Sequence, residues 1–353
     1  MKKVVVKIGS SVFAPRGEID KSFLRALVRN VIELEDRGFR VILVSSGAIA
    51  CGLSKLGYRR RPSDLSSLMA IAATGQIVLM DMYAKVFSRY GRRCAQILLT
   101  WDDFNDRIRY LNARNTINRL LSFKVVPIIN ENDTVSTEEI RFGDNDRLSA
   151  LVSDLVGAKK LVILSDVDGL FGEDGVIPLV KTIDNAIMRL ARKEDNSFTT
   201  GGMVTKLEAA RIAALSGVET VVANGRKRNI LKKLLIDKEK VGTTFLPSNN
   251  IERARKRWIA FSKKIKGKIY VDKGAAEAIS LKGKSLLPVG ITGFEGNFHK
   301  GDCVDIFDIN GNLVGRGLVN YSAHELEGFK GKQFMHEVIH QDNFVKKGER
   351  WIT

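Results

Sequence analysis

"FRVILVSSGAIA", Phe39 to Ala50, decides the fold. Its apolar run is continuous rather than alternating, and it ends abruptly in two serines and a glycine. A strand with no polar side has no face for water, so it belongs in a sheet covered on both faces, usually a parallel one. Five other stretches repeat the pattern: "KVVVKIG" at Lys3–Gly9, "CAQILLT" at Cys94–Thr100, "KVVPIINEND" at Lys124–Asp133, "KKLVILSD" at Lys159–Asp166 and "VETVVANG" at Val218–Gly225. Between them lie helical patterns. Asp20 can cap a helix in which Leu24, Leu27, Val28, Val31 and Leu34 recur at helical spacing until Gly38 stops it. Another helix runs through Leu207–Leu215 before Gly217. The expectation is an α/β domain over residues 1–248, a mostly parallel sheet sandwiched by helices.

At 353 residues the chain exceeds one typical core, so two domains are expected. With 44% hydrophobic and 27% charged residues it reads as a soluble globular protein. No apolar run approaches the roughly 18 to 20 residues of a membrane span. Lys7 breaks the first run too early for a signal peptide, so the default is cytoplasmic, with no membrane partner. Cys51, Cys94 and Cys303 are odd in number and scattered, which argues against disulfides and cysteine zinc sites. The net charge of +17 attracts any polyanion, ATP and RNA alike. Residues 251–353 hold 18 of the 57 Lys and Arg and 12 of the 40 Asp and Glu, so no single basic module stands out.

After Leu246 the texture changes. Residues 249–266 are polar, then strongly basic, and read as a linker; 267–353 read as short strands with glycine turns, a small β-rich domain. "DINGN" at Asp308–Asn312 predicts a hairpin, with Asn-Gly suited to a tight primed turn.

Chemistry gathers at the ends of the predicted strands, where open α/β sheets bind ligands. Lys7 lies in an apolar strand end before Gly9, Ser10 and Ser11, and a buried lysine is costly unless an anion meets it. The competing reading is an edge-strand lysine reaching water. "INENDTV" places Asn130, Glu131, Asn132 and Asp133 after a buried strand, more polar groups than a turn requires. "FGDNDRLSA" sets Asp144, Asn145 and Asp146 before an apolar helix, where capping needs only one. "TTGGMVTK", Thr199 to Lys206, combines glycines that let backbone N–H groups approach a phosphate with a helix start and a lysine one turn in. It has no P-loop spacing, and no G-x-G-x-x-G occurs anywhere. "HEVIH" at His336–His340 matches a zinc signature, but its β-branched residues in a β-rich domain argue for chance, and no metal is assigned there.

In their order, "KIGSS", "VSSGAIA", "LNARNT", "INENDTV", "FGDNDRLSA", "SDVDGL" and "TGGMVTK" resemble the motifs of the amino acid kinase family, and within it the glutamate 5-kinase family. The last hundred residues resemble the pseudouridine-synthase-and-archaeosine-transglycosylase (PUA) domain. The resemblance implies ATP-dependent phosphorylation of the γ-carboxylate of L-glutamate to γ-glutamyl phosphate, the first step of proline biosynthesis. It implies that Lys7 and Lys206 contact the transferring phosphoryl group and that Asp146 orients them. Ser46, Asp133 and Asn145 match glutamate-binding residues. Gly9, Ser165, Asp166, Thr200, Gly201, Gly202, Met203, Val204, Thr205 and the two lysines fall on the ATP side. Mg²⁺ is expected with ATP, its protein ligands unspecified. Feedback inhibition by proline and assembly into a homo-oligomer are family expectations only. One departure is the stretch "FGEDGVIPLVKTI" after Leu170, shorter than usual, which puts the adenine-side contacts in doubt.

The residues support this chemistry separately. A carboxylate acceptor has a reference pKa of about 4.3, is already a nucleophile at neutral pH and needs no general base. No histidine precedes His299. The alternatives are an amino acid kinase acting on acetylglutamate, aspartate or a carbamate, and an RNA-binding or RNA-modifying protein. Residues 251–353 lack the dense aromatic–basic interleaving of stacking surfaces, so RNA binding by the PUA-like domain is unsupported.

Overall fold

The computed structural model of the chain describes residues 2–15, 19–58, 60–136, 145–194, 202–248, 265–329 and 336–347. The chain divides into two compact units, Met1–Ile251 and Glu252–Thr353.

The first unit has strands β1 (Lys2–Ile8), β2 (Phe39–Ser45), β3 (Arg93–Leu99), β4 (Val125–Glu131) and β5 (Lys160–Ser165). The short strands β6 (Phe171–Gly172), β7 (Gly175–Val176) and β8 (Leu179–Val180) follow, then β9 (Glu219–Asn224) and β10 (Thr243–Phe245). Eight of them form one sheet in the order β3-β4-β2-β1-β5-β9-β10-β8, while β6 and β7 pair alone. Every pairing in the sheet is parallel except β9 with β10. All six strands expected from apolar runs are present. The antiparallel β10 was not foreseen, because three residues are too few to show a pattern.

The helices are α1 (Ser10–Phe13), α2 (Lys21–Asp36), α3 (Ala48–Leu56), α4 (Leu65–Ser88), α5 (Trp101–Asn105) and α6 (Arg107–Ser122). Then come α7 (Asn145–Val156), α8 (Asn185–Glu194) and α9 (Met203–Leu215). Asp20 caps α2 by accepting from the N–H groups of Ser22 and Phe23, and Gly38, at φ +84°, follows its end. Side chains alternate along a strand. Val4, Val6 and Ile8 therefore pack with Leu24, Leu27 and Val31 of α2 and with Leu79 and Tyr83 of α4. Val5 and Lys7 fall on the other face, where α7 contacts β1 and β5, and α9 contacts α7 and β9.

Two glycines let α3 and α4 touch backbone to backbone. A Cβ on Gly75 would lie 1.8 Å from the carbonyl oxygen of Ala48, and one on Gly52 would lie 2.0 Å from that of Ile71. Contrary to the expectation from the sequence, helix α4 is long and apolar enough to cross a membrane by length and composition alone, with a mean hydropathy of 1.4. Gln76, Asp81 and Lys85 interrupt it, and Leu79, Tyr83 and Phe87 pack into the sheet core.

The second unit has strands β11 (Ile265–Val271), β12 (Ile291–Glu295), β13 (Cys303–Phe307), β14 (Leu313–Leu318) and β15 (Phe344–Lys346), in the order β12-β11-β13-β14-β15. Its core gathers Ile269, Val271, Phe298, Val304, Ile306 and Ile339. Ile265 and Lys266, expected at the end of the linker, already belong to β11; the rest of that linker lies outside the described residues. The hairpin at Asp308–Asn312 is present, joining β13 to β14. Its turn is not a primed one, since only Gly311 has positive φ, and Asp308 Oδ1 closes the loop by accepting from the N–H groups of Asn310 and Asn312. In "HEVIH", Val338 and Ile339 are buried and Ile339 bridges Leu286, so the segment is extended rather than helical.

Candidate active site

Strand β1 has β2 on one side and β5 on the other, so Lys7 is not an edge lysine, and it is 5% exposed. Its ammonium lies 2.6 Å from Asp146 Oδ1. Asp146 stands in the first turn of α7 and is fully buried. Its other oxygen, Oδ2, accepts from the Thr205 hydroxyl at 2.8 Å and lies 3.5 Å from Lys206 Nζ. Lys206 also donates to the Gly202 carbonyl at 3.3 Å. Burial pushes the Asp146 carboxyl up, but the charges of Lys206 and Lys7 and the hydrogen bonds from Lys7 and Thr205 outweigh it. The carboxyl is held below the usual carboxylate range. One aspartate thus fixes two buried ammonium groups from two elements.

Gly202 caps α9 without a side-chain bond. The first N–H groups of a helix have no partner within it, and they favour an anion. Those of Met203, Val204 and Thr205 occupy the same turn as the Lys206 ammonium. Gly9 is just as constrained. Its N–H donates to the Leu164 carbonyl at 3.0 Å, and a Cβ there would sit 3.1 Å from that oxygen and 3.8 Å from Lys7 Nζ.

Beside this cluster is a second one, built mainly on amides. Asn145, the residue before Asp146, donates from Nδ2 to Ser46 Oγ at 2.8 Å and to Asn130 Oδ1 at 2.9 Å. Asp133 is buried on the loop that follows β4. Ser46 is held where α3 begins by Gly47, whose φ of +118° suits glycine and whose Cβ would strike the Phe13 ring at 2.7 Å. A third group lies beyond β5 and β9. Ser165 Oγ donates to Asp166 Oδ1 at 3.1 Å, while Asn224 Nδ2 donates to Asp168 Oδ1 at 3.0 Å. Lys227 stands 3.1 Å from that same Asp168 oxygen.

The structure therefore brings together Lys7, Asp146, Thr205 and Lys206, and separately Ser46 and Asn145. Ser165 and Asp166 end the strand next to β1, joined to each other rather than to the lysines. Thr200, Gly201 and Asp144 lie outside the described residues. Three features escaped the sequence reading. Thr205, read as an ATP contact, also binds Asp146. Arg147 stacks 3.6 Å over the Trp101 ring. Gln76, lone in an apolar helix, accepts a hydrogen bond from Asn130, which no local pattern announces.

A mostly parallel sheet that sets Lys7, at the end of one strand, against Asp146 and Lys206 of two helices suits a phosphotransferase without a P-loop. Residues 2–224 match the amino acid kinase family and residues 267–340 match the PUA domain. The chain belongs to the amino acid kinase family, and its full-length relatives place it among the glutamate 5-kinases. It is 44% identical to the glutamate 5-kinase of Caldanaerobacter subterraneus subsp. tengcongensis, over 99% of each chain. It is 45% identical to that of Methylococcus capsulatus, over 98% of this chain and 97% of the relative. A solved Giardia carbamate kinase covers 70% of this chain at 16% identity and a TM-score of 0.49, too distant a likeness to argue from.

Proposed function

We propose that the chain transfers the γ-phosphoryl group of ATP to the γ-carboxylate of L-glutamate, giving γ-glutamyl phosphate and ADP, the first step of proline biosynthesis. The observation that carries this reading is the first turn of α7. Its Asp146 holds the two lysines, and the adjacent Asn145 holds Ser46. Acceptor and phosphoryl donor thus meet at two consecutive residues.

A carboxylate oxygen of glutamate attacks the γ-phosphorus, and the bond to the β-phosphate oxygen breaks. No proton leaves the nucleophile, so no general base is required. Lys7 and Lys206 offset the charge on the transferring group, and the N–H groups at the start of α9 bind the phosphates. Ser46, Asn145 and Asp133 hold the amino acid, and Ser165 and Asp166 stand on the nucleotide side. Mg²⁺ enters this reading as the ion that ATP carries on its phosphates. Among the described residues no three His, Cys, Asp or Glu side chains gather to hold a metal ion. Three free cysteines, with the Cys51 thiol pushed by burial up to about 12, suit a cytoplasmic setting.

Trapping the acyl phosphate with hydroxylamine tests the reading. Glutamate-dependent hydroxamate and ADP are expected. Reaction with acetylglutamate or aspartate but not glutamate would reassign the acceptor.

A further inference from the structure

The site continues beyond the residues assigned to it. Asn130 Nδ2 donates to Gln76 Oε1 at 2.9 Å, and Gln76 Nε2 donates to Gln96 Oε1 at 3.3 Å. A single run of amides therefore leads from Ser46 through Asn145, Asn130 and Gln76 to Gln96 on the edge strand β3. Ser46, Asn145, Asn130 and Gln76 are all buried.

We propose that Gln76 is a positioning residue for the acceptor, fixing the amides of Asn130 and Asn145 so that Asn145 meets the amino acid through its carbonyl oxygen. This rests on the glutamate reading above. Each link has a direction. Both hydrogens of Asn145 Nδ2 are donated, one to Asn130 and one to Ser46, so Asn145 can offer a ligand only its acceptor oxygen. That suits an α-ammonium and opposes a carboxylate. Turning over the Asn145 amide would set its oxygen against Asn130 Oδ1, which has no hydrogen. Turning over Asn130 would set its oxygen against Gln76 Oε1. Only a concerted turn of all the amides would keep these bonds, so Gln76 ties the orientation of Asn130 and Asn145 to that of Gln96.

The position of Gln76 is fixed as firmly as its chemistry. The preceding Gly75 brings α4 onto Ala48, two residues after Ser46, with no room for a Cβ. Helix α4 therefore delivers the Gln76 amide to the acceptor loop from a rigid contact.

The test is steady-state kinetics on the full chain, with glutamate and ATP varied separately. Gln76→Leu removes the acceptor for Asn130 and should raise the glutamate KM roughly tenfold or more, since a buried donor loses its partner. The ATP KM and kcat should stay within about threefold, because the lysine cluster is untouched. Gln76→Met keeps the length of the side chain without its amide and should raise the glutamate KM to a similar degree. A Gln76→Leu protein with unchanged glutamate KM overturns the proposal. So does a fall in kcat alone. If Gln76→Leu does not fold, the Met variant decides: a tenfold rise in the glutamate KM supports the proposal and a value near wild type overturns it. A wild type that makes no glutamate hydroxamate removes the acceptor reading and this proposal together. Hydroxamate formation with variants insensitive at Gln76 removes the proposal alone.

Discussion

At the transfer end of the site, Lys7, Asp146 and Lys206 meet as formal charges in a place nearly closed to water; at the acceptor end, Ser46, Asn145, Asn130 and Gln76 form a chain of neutral dipoles, and the one charge proposed to join them is Asp133. The two ends share a helix turn, and the proposed reading gives them different stages of the reaction. Fixed charge acts most where charge is redistributed, in the transition state, and appears in kcat. Neutral amides orient a ligand that is already bound, and they appear in KM. A site divided this way can change acceptor without rebuilding its phosphoryl chemistry.

The largest expected effect lies at the charged end. Lys7→Ala and Lys206→Ala should each lower kcat by roughly 10²-fold or more, the level typical of electrostatic groups, with little change in glutamate KM. Near-wild-type kcat in both would break the division of labour. Asp146→Ala should add a loss of folding. It leaves two buried ammonium groups without their shared carboxylate, a change that costs about 3–5 kcal/mol when a buried ion pair is broken. A urea midpoint equal to wild type would contradict the burial argument.

The same carboxylate gives a pH signature. Its folded-state value is depressed, so its stabilisation is complete above the unfolded value of about 3.9 and is lost as pH falls through the lower folded value. Part of the wild-type loss of stability in acid should therefore be missing in Asp146→Asn. Parallel urea midpoints for the two proteins from pH 6 to pH 3 would show otherwise.

Asp133→Ala sharpens the comparison from the acceptor side. A hydrogen bond to a charged group contributes roughly 1.5–3 kcal/mol. The glutamate KM should therefore rise roughly tenfold to a hundredfold, with a much smaller change in kcat. A fall in kcat without a change in KM would move Asp133 from holding glutamate to assisting transfer.

Why was the charged end more legible in the sequence than the neutral one? A lysine in an apolar strand and acidic residues before an apolar helix are local anomalies, because burying charge is costly and demands a reason. The six long strands were legible for the same cause: runs such as "VILV" and "KLVIL" fit no exposed surface. Gln76 is different. One glutamine in α4 breaks no rule, and its meaning depends on Asn130, 54 residues away. The turn at Asp308–Asn312 shows another limit. Asn-Gly signals a hairpin, but the side chain of Asp308 decides the loop, and Asn310 stays out of the left-handed region.

The smallest effect is expected from removing the second unit. Every residue proposed for transfer or for holding glutamate lies before Ser248. The first unit has its own core from α2, α4 and five parallel strands, and Ser248 itself is tied to it by an N–H donated to the Ala214 carbonyl at 2.8 Å. A compact unit with its own apolar core is expected to fold alone. Residues 1–248 should therefore melt cooperatively and retain glutamate-dependent ADP release, with the glutamate KM within a few-fold of the full chain. Altered regulation or assembly would be compatible with this outcome. A cooperatively folded 1–248 with no activity would mean that the second unit completes the active site, and the division between charged transfer end and neutral acceptor end would then lack a third component.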